Sequence, residues 1–422
     1  MNSGDTDLTS RDRPARGFDL PDFPWDRLAP YKELAATHPG GLIDLSVGTP
    51  VDPTPRSVQE ALAAAADAPG YPQTWGTPAL RQAVASWFAR RRGVPDLDPD
   101  GVLPTIGSKE LVAWLPTLLG LGPGDIVGFP GIAYPTYDVG ARLARATPRV
   151  VDGLAAFGPP TAATTPRLLW VNSPSNPTGR VLGVEHLRKV VRWAREYGVI
   201  VASDECYAEL DWRGEDDLTA SSAPESTGGA AGDRCPSILD PAVCDGDHTG
   251  LLCVYSLSKQ SNLAGYRAAF VAGDPRLVKR LLELRKHAGM MMPWPVQQAM
   301  IAALSDDESV LAQRERYRHR RGLLRTAITE AGWQIEHSQA GLYLWVSQDA
   351  DAWESVARMA TLGILVAPGT FYGRAGDRHV RIALTATDEA IESAAHRLSR
   401  RAPEVGPLDE PPSHQTNHHG AL

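Results

Sequence analysis

Lysine is scarce in this chain of 422 residues: six of its 42 basic residues are lysine, at positions 32, 109, 189, 259, 279 and 286, and the rest are arginine. Chemistry that needs a side-chain amine therefore has few places to occur. Cysteine is scarcer still. Cys206, Cys235, Cys244 and Cys253 form no C-x-x-C pair and no metal-ligand spacing with histidine, so neither a disulfide framework nor a metal site is expected. No apolar run approaches the ~18 residues of a membrane-spanning helix. The opening MNSGDTDLTSRDRPARG lacks the apolar core of a secretory signal. These absences predict a cytoplasmic chain with reduced thiols and no membrane partner. Excess positive charge is also missing. Asp plus Glu number 50 against 42 Lys plus Arg, a net charge of −8, which disfavours non-specific nucleic-acid binding. The one basic run, RERYRHRRGLLR at 314–325, has the spacing of a helix with a solvated face.

What is present is an ordinary globular balance, 43% hydrophobic and 22% charged, which excludes wholesale disorder. The length suggests two or three domains. Residues 1–21 and 402–422 read as disordered tails, the second carrying His414, His418 and His419. A low-complexity stretch at 213–235 reads as a surface loop. Between the tails, helical and strand patterns alternate. Leu80, Val84, Trp87 and Phe88 fall at helical spacing before Gly93 and Pro95. Leu187, Val190, Val191, Ala194 and Tyr197 do the same before Gly198. Val199 to Ser203, Leu168 to Val171 and Leu251 to Tyr255 read as buried strands. The alternation predicts an α/β domain with a mainly parallel sheet, in which ligands bind beyond the carboxyl ends of the strands.

The residues at those ends carry chemistry. Asp204, Glu205, Cys206 and Tyr207 follow one strand, and NSPSNPTG (172–179) follows another. Ser256-Leu257-Ser258-Lys259 follows a third, with Arg267 eight residues after the lysine. Gly107 and Ser108 precede a helix that starts near Lys109. A lone Asp after a strand is more often a helix cap, and a lone S-x-S-K more often a turn. All of these in this order, each at a strand end, are far harder to dismiss.

N-x-P-x-N-P-T-G, D-E-x-Y and S-L-S-K with its following arginine resemble the class I/II aminotransferases. These are fold-type-I enzymes that use pyridoxal 5′-phosphate, and the resemblance covers about residues 22–400. It implies a large α/β domain with a mainly parallel sheet (52–295). The smaller α+β domain would combine an N-terminal arm (22–51) with 296–401. By the motif match, Lys259 is the amine that holds the cofactor and shuttles a proton. Asp204 pairs with the ring nitrogen, Asn176 and Tyr207 bond the ring's phenolic oxygen, and Tyr134 stacks on the ring. On spacing alone, Tyr134 reads equally well as a core aromatic beside a proline turn. Gly107, Ser108, Lys109, Ser256, Ser258 and Arg267 are implied for the phosphate. Tyr71 is implied to reach the phosphate of a neighbouring subunit, giving a homodimer with shared sites. Arg381 is implied to bind the substrate α-carboxylate, with Gly48 beside it and Asn176 in reach.

Longer segments, among them FPWDRLAPYK (23–32), DLSVGTPVDPTP (44–55) and RKHAGMMMPWPVQ (285–297), are similar to actinobacterial N-succinyldiaminopimelate aminotransferases. That likeness implies glutamate and 2-oxoglutarate as one substrate pair. The chain departs from the group in the length of the 213–235 loop and in Trp294, where a small residue is expected. Basic candidates for a distal carboxylate are Lys109, Lys286 and His287. A general aspartate- or aromatic-type aminotransferase is the alternative within the family; a fold-type-I lyase or decarboxylase shares the cofactor residues, while Arg381 and the NPTG loop favour transamination. An aminotransferase-like regulator would need a DNA-binding domain, for which about 20 preceding residues are too few.

Overall fold

The computed structural model describes residues 17–18, 20–21, 23–157, 161, 164–214 and 234–399. Most of the expected tails, with their three histidines, and most of the 213–235 loop lie outside the described residues. In chain order the strands are β1 (Ile43–Asp44), β2 (Val102–Ile106), β3 (Ile126–Phe129), β4 (Thr147–Val150), β5 (Leu168–Asn172), β6 (Ile200–Asp204) and β7 (Leu251–Ser256). They continue as β8 (Ala268–Gly273), β9 (Gln334–Glu336), β10 (Tyr343–Ser347), β11 (Ile364–Leu365), β12 (Ala367–Pro368) and β13 (His379–Ala383).

Seven strands form the main sheet in the order β2-β8-β7-β6-β5-β3-β4. All its pairings are parallel except those of β8, which runs against both neighbours. The strands expected at 168–171, 199–203 and 251–255 appear as β5, β6 and β7. Every residue of β5 and β7 is buried, as expected of strands covered on both faces. Period-two alternation splits them between two cores. Leu169, Val201, Cys253 and Phe270 pack on one side of the sheet, and Leu168, Trp170, Ala202 and Val254 on the other.

Helices supply the cover. Pro78–Trp87 starts at Thr77, whose side chain accepts from the Leu80 amide, and buries Leu80, Val84 and Trp87. A π-helical turn, Phe88–Arg92, prolongs it to Gly93 at φ 70°. Val184–Tyr197 buries Leu187, Val190, Val191 and Ala194 and ends at Gly198 at φ 65°, a left-handed position that suits glycine.

A third core lies around the antiparallel sheet β12-β13-β10-β9 and the parallel pair β1-β11. It joins residues 28–45 to residues 317–398 and touches Cys206, Tyr207, Leu210 and Trp212. Helices Trp294–Ser305 and Asp307–Glu330 run between the cores and are broken at Asp306. The second contains the arginine-rich run, and here the solvated face expected from spacing is only partly present. Arg320 and Arg321 are buried. Arg320 bonds both oxygens of Asp52, at 2.7 and 2.8 Å, and Asp388 at 2.6 Å. The run thus ties the chain before the first core to the last helix, Asp388–Leu398.

Candidate active site

A cavity of about 690 Å³ opens beyond the carboxyl ends of β5, β6 and β7. Strand register sets its floor. Asn172, the last residue of β5, lies opposite Asp204, the last of β6. The Asn172 side-chain nitrogen donates to the carbonyls of Pro174 and Asp204, and its side-chain oxygen accepts from the Asn176 amide at 2.8 Å. One buried side chain therefore shapes the loop that presents Asn176.

Asp204 is buried and holds two hydrogen bonds. The Tyr137 hydroxyl donates to it at 3.0 Å and the Cys206 amide at 3.2 Å. Burial raises the Asp204 pKa, and the bonds from Cys206 and Tyr137 oppose the rise. No cation pairs with this carboxylate among the described residues. The next residue differs: Glu205 forms an ion pair with Arg92 at 2.8 Å, each side chain 1% exposed. Glu205 also accepts from Ser203 Oγ and the Ile238 amide. Replacing Arg92 by methionine strands the buried Glu205 carboxylate. The expected loss of unfolding free energy is about 3–5 kcal/mol, read from urea denaturation.

Lys259 lies in the short helix Leu257–Gln260, whose start is capped by Ser256 Oγ. Its Nζ donates to the Gly48 carbonyl. Burial lowers its pKa; Tyr343 and Cys206 oppose this, while Arg381 and Arg267 add to it. Ser256 and Ser258 share a hydrogen bond at 2.8 Å beside it. Gly107, at φ 82°, precedes helix Ser108–Leu118, and a β-carbon there would collide with the Arg267 guanidinium. Arg267 and the start of that helix thus meet at one corner of the cavity.

At the other side Arg381, the middle residue of β13, is 3% exposed. It donates to Asn176 Oδ1 at 3.0 Å and to the Ser46 carbonyl at 2.6 Å, and its guanidinium lies 3.9 Å from the centre of the Tyr343 ring. No carboxylate pairs with it among the described residues, and its Nε is buried without a partner.

The cavity brings together Gly48, Ser108, Lys109, Tyr134, Asn176, Asp204, Tyr207, Ser256, Ser258, Lys259, Arg267 and Arg381. Gly107, which immediately precedes Ser108, is not among the lining residues. Tyr71 does not line it and is 95% exposed in the single chain. Trp294 also lies outside the lining and is partly exposed. Lys286 pairs with Glu283 on the surface. Pro21, which the sequence pattern groups with the N-terminal tail, lines the mouth with Phe23 and Trp25. Sequence reasoning missed Tyr137, Tyr343 and Asn172, which hydrogen-bond the candidate residues Asp204, Tyr207 and Asn176. Asn172 opens the NSPSNPTG motif and could have been found there. Tyr343 carries no local signal.

The family model described as aminotransferase class I and II matches residues 41–398. This chain belongs to that family. The aminotransferase is 55% identical over 382 residues to the 4-dedimethylamino-4-oxo-anhydrotetracycline transaminase OxyQ of Streptomyces rimosus, covering 90% of this chain and 99% of OxyQ. It is 56% identical over 389 residues to "Probable aminotransferase Rv1178" of Mycobacterium tuberculosis, covering 92% of this chain and 88% of that one. Among solved structures it is similar to the "probable N-succinyldiaminopimelate aminotransferase" of Thermus thermophilus. That match has a TM-score of 0.73 and 29% identity, covering 88% of this chain and 97% of the other. The fold is fold type I, and the cofactor is pyridoxal phosphate.

The residues present fit that cofactor. Asp204 is a buried carboxylate without a cation, as a protonated ring nitrogen requires. Gly107, whose φ of 82° disfavours a side chain, stands where a helix start meets Arg267, a setting for a phosphate dianion.

Proposed function

We propose that this aminotransferase exchanges amino groups between glutamate and N-succinyl-2-amino-6-ketopimelate, acting as an N-succinyl-LL-2,6-diaminopimelate:2-oxoglutarate aminotransferase. The observation that supports this reading is that Arg381 and Lys109 both line the cavity without a carboxylate partner among the described residues. Arg381 waits without a carboxylate at the inner end. Lys109, on the wall near the mouth, lies 5.5 Å from the Phe23 ring centre and has no carboxylate partner among the described residues. A substrate with carboxylates at both ends of an extended chain would satisfy both. The similarity to the Thermus protein supports the same reading.

Pyridoxal phosphate, when bound, supplies an aldehyde for the amino group and a ring that withdraws electrons from the bonds at Cα. The chain's residues do the rest. Arg381 binds the α-carboxylate bidentately, steadied by Asn176. Lys259 Nζ, neutral more readily because it is buried, takes the proton from the substrate Cα. Asp204 would hold the ring nitrogen's proton. Asn176 and Tyr207 would hold the ring's phenolic oxygen, and Tyr134 would pack on the ring. Ser108, Ser256, Ser258 and Arg267 would hold the phosphate, with the backbone at Gly107 and Lys109. Tyr71 would complete the phosphate site of a second copy, which accounts for its exposure here and makes the working unit a homodimer.

One observation favours a second reading. The mouth carries Pro21, Phe23, Trp25 and Val47, an apolar and aromatic wall that suits a planar ring ketone, and OxyQ is named for such a substrate. Mixing the enzyme with N-succinyl-LL-diaminopimelate, glutamate, aspartate and aromatic amino acids, one at a time, tests the first reading. Glutamate and the succinylated amine are expected to bleach the cofactor's visible band within seconds. Lys109→Ala is expected to weaken the succinylated substrate about tenfold or more and to spare aromatic amino acids. Reaction with aromatic amino acids and none with the succinylated amine would overturn the first reading.

A further inference from the structure

Helices Ser108–Leu118 and Thr136–Leu143 flank the outer part of the cavity, and they touch through their backbones. Gly140 makes the contact: a β-carbon there would lie 2.7 Å from the Val112 carbonyl oxygen and 3.1 Å from that of Ala113. Helices this close cannot approach further, and the buried side chains of Leu111, Leu115 and Ala141, packed in one core, keep them from parting. Beside the contact, Ala113 of the first helix and Val139 of the second both line the cavity. Ala113 follows Lys109 by one turn on the same helical face, about 6 Å further along the axis. The Phe23 ring centre lies 5.5 Å from the Lys109 nitrogen, and Trp25 fastens that segment to the third core through Phe371, ring centres 5.2 Å apart. The other charged lining residues are Asp204, Lys259, Arg267 and Arg381, all proposed above for the cofactor or the α-carboxylate. The outer part is thus mostly carbon, with one cation beside it.

We propose that Ala113 and Val139 are specificity-determining residues, which set the width of an outer subsite for the body of an amino acid longer than glutamate. The substrate class is one with an apolar chain or ring beyond its γ-carbon. This rests on the roles given above to Arg381 and Lys259, which put the reacting carbon at the inner end. From there a short side chain reaches little of the space beside the two helices, and a long one enters it. Alanine at 113 keeps that space open. Because the backbone contact at Gly140 fixes the helices, a larger side chain at 113 or 139 is not absorbed by moving them. It fills the subsite instead, and the body of a long substrate loses its place.

The test compares kcat/KM for N-succinyl-LL-diaminopimelate and for phenylalanine with that for glutamate, in the cofactor-loaded wild type, Ala113→Leu and Val139→Phe. For each longer amino acid that the wild type uses, the ratio to glutamate is expected to fall about tenfold or more in both variants. The same ratio is read without chemistry from calorimetric dissociation constants for 3-phenylpropionate and glutarate, which lack the amine. Ratios that stay at the wild-type value in both variants overturn the proposal, as does a wild type that accepts no amino acid longer than glutamate. If one variant fails to fold, the other decides by the same criterion. A wild type that uses phenylalanine and not the succinylated amine sinks the substrate reading above, yet supports this subsite if the phenylalanine ratio falls in the variants. Use of the succinylated amine with an unchanged ratio does the reverse.

Discussion

Replacing Lys259 by alanine is expected to remove turnover, on the order of 10⁶-fold, together with the visible absorbance of the covalently held cofactor. The size of the effect reflects the two tasks proposed for one nitrogen, cofactor attachment and proton movement. The other lysines cannot stand in. Lys32, Lys189, Lys279 and Lys286 are exposed, and Lys109 sits at the wall near the mouth. Lys259 alone among them is enclosed by Arg267, Arg381, Tyr343 and Cys206. Burial and the two arginines lower its proton affinity, so its neutral, nucleophilic fraction at a given pH exceeds that of a surface lysine. Absorbance spectra of purified wild type and variant, with single-turnover assays on glutamate, provide the measurement. Retained turnover in Lys259→Ala would refute the assignment. Lys109→Ala, which leaves the amine in place, is the control that should keep its band.

The strands and their ends were legible because they obey local rules. β5, β6 and β7 are short apolar runs, and the candidate site residues at their carboxyl ends are adjacent to them in the chain. Asp204, Asn176 and Ser256 could therefore be placed at one rim before any coordinates. Arg381 obeys no such rule. It lies in the middle of β13, and only the motif resemblance singled it out. Tyr137 and Tyr343 were illegible for a different reason. Tyr137 reaches Asp204 across 67 positions and Tyr343 reaches Tyr207 across 136, so each contact exists only once the cores have packed. Arg320 shows the opposite error. Helical spacing says which residues share a face, but not that Asp52 and Asp388 will arrive to cover it. The lysine scarcity that narrows the candidates for the central amine has the same limit: it shortens a set, and the geometry around Lys259 is what distinguishes the member.

Asp204→Ala is expected to separate holding the cofactor from using it. The residues proposed for the phosphate and Lys259 are untouched by the change, so the variant should bind pyridoxal phosphate and keep a visible band. What it would lose is the buried carboxylate proposed to stabilise a proton on the ring nitrogen. In the native site that anion is maintained at a cost. Burial raises the carboxyl's pKa, and the Cys206 amide and Tyr137 hydroxyl work against the rise. A protonated ring nitrogen would add the interaction the described residues do not supply, a positive charge at the carboxylate, and the two charges would stabilise each other. Without Asp204 the ring nitrogen is expected to lose its proton and with it most of its capacity to withdraw electrons from Cα. Removing one preorganised charge of this kind typically lowers kcat by about 10²–10³-fold, and the loss should fall on the proton-transfer step. Deuterium at the substrate Cα provides the check: the isotope effect on the half-reaction should become fully expressed in Asp204→Ala, with little change in cofactor affinity. Asp204→Asn, which keeps the shape and removes the charge, should behave like the alanine variant. If the asparagine variant retains wild-type rates, the shape of the side chain is what matters, and the electrostatic role assigned to Asp204 is wrong.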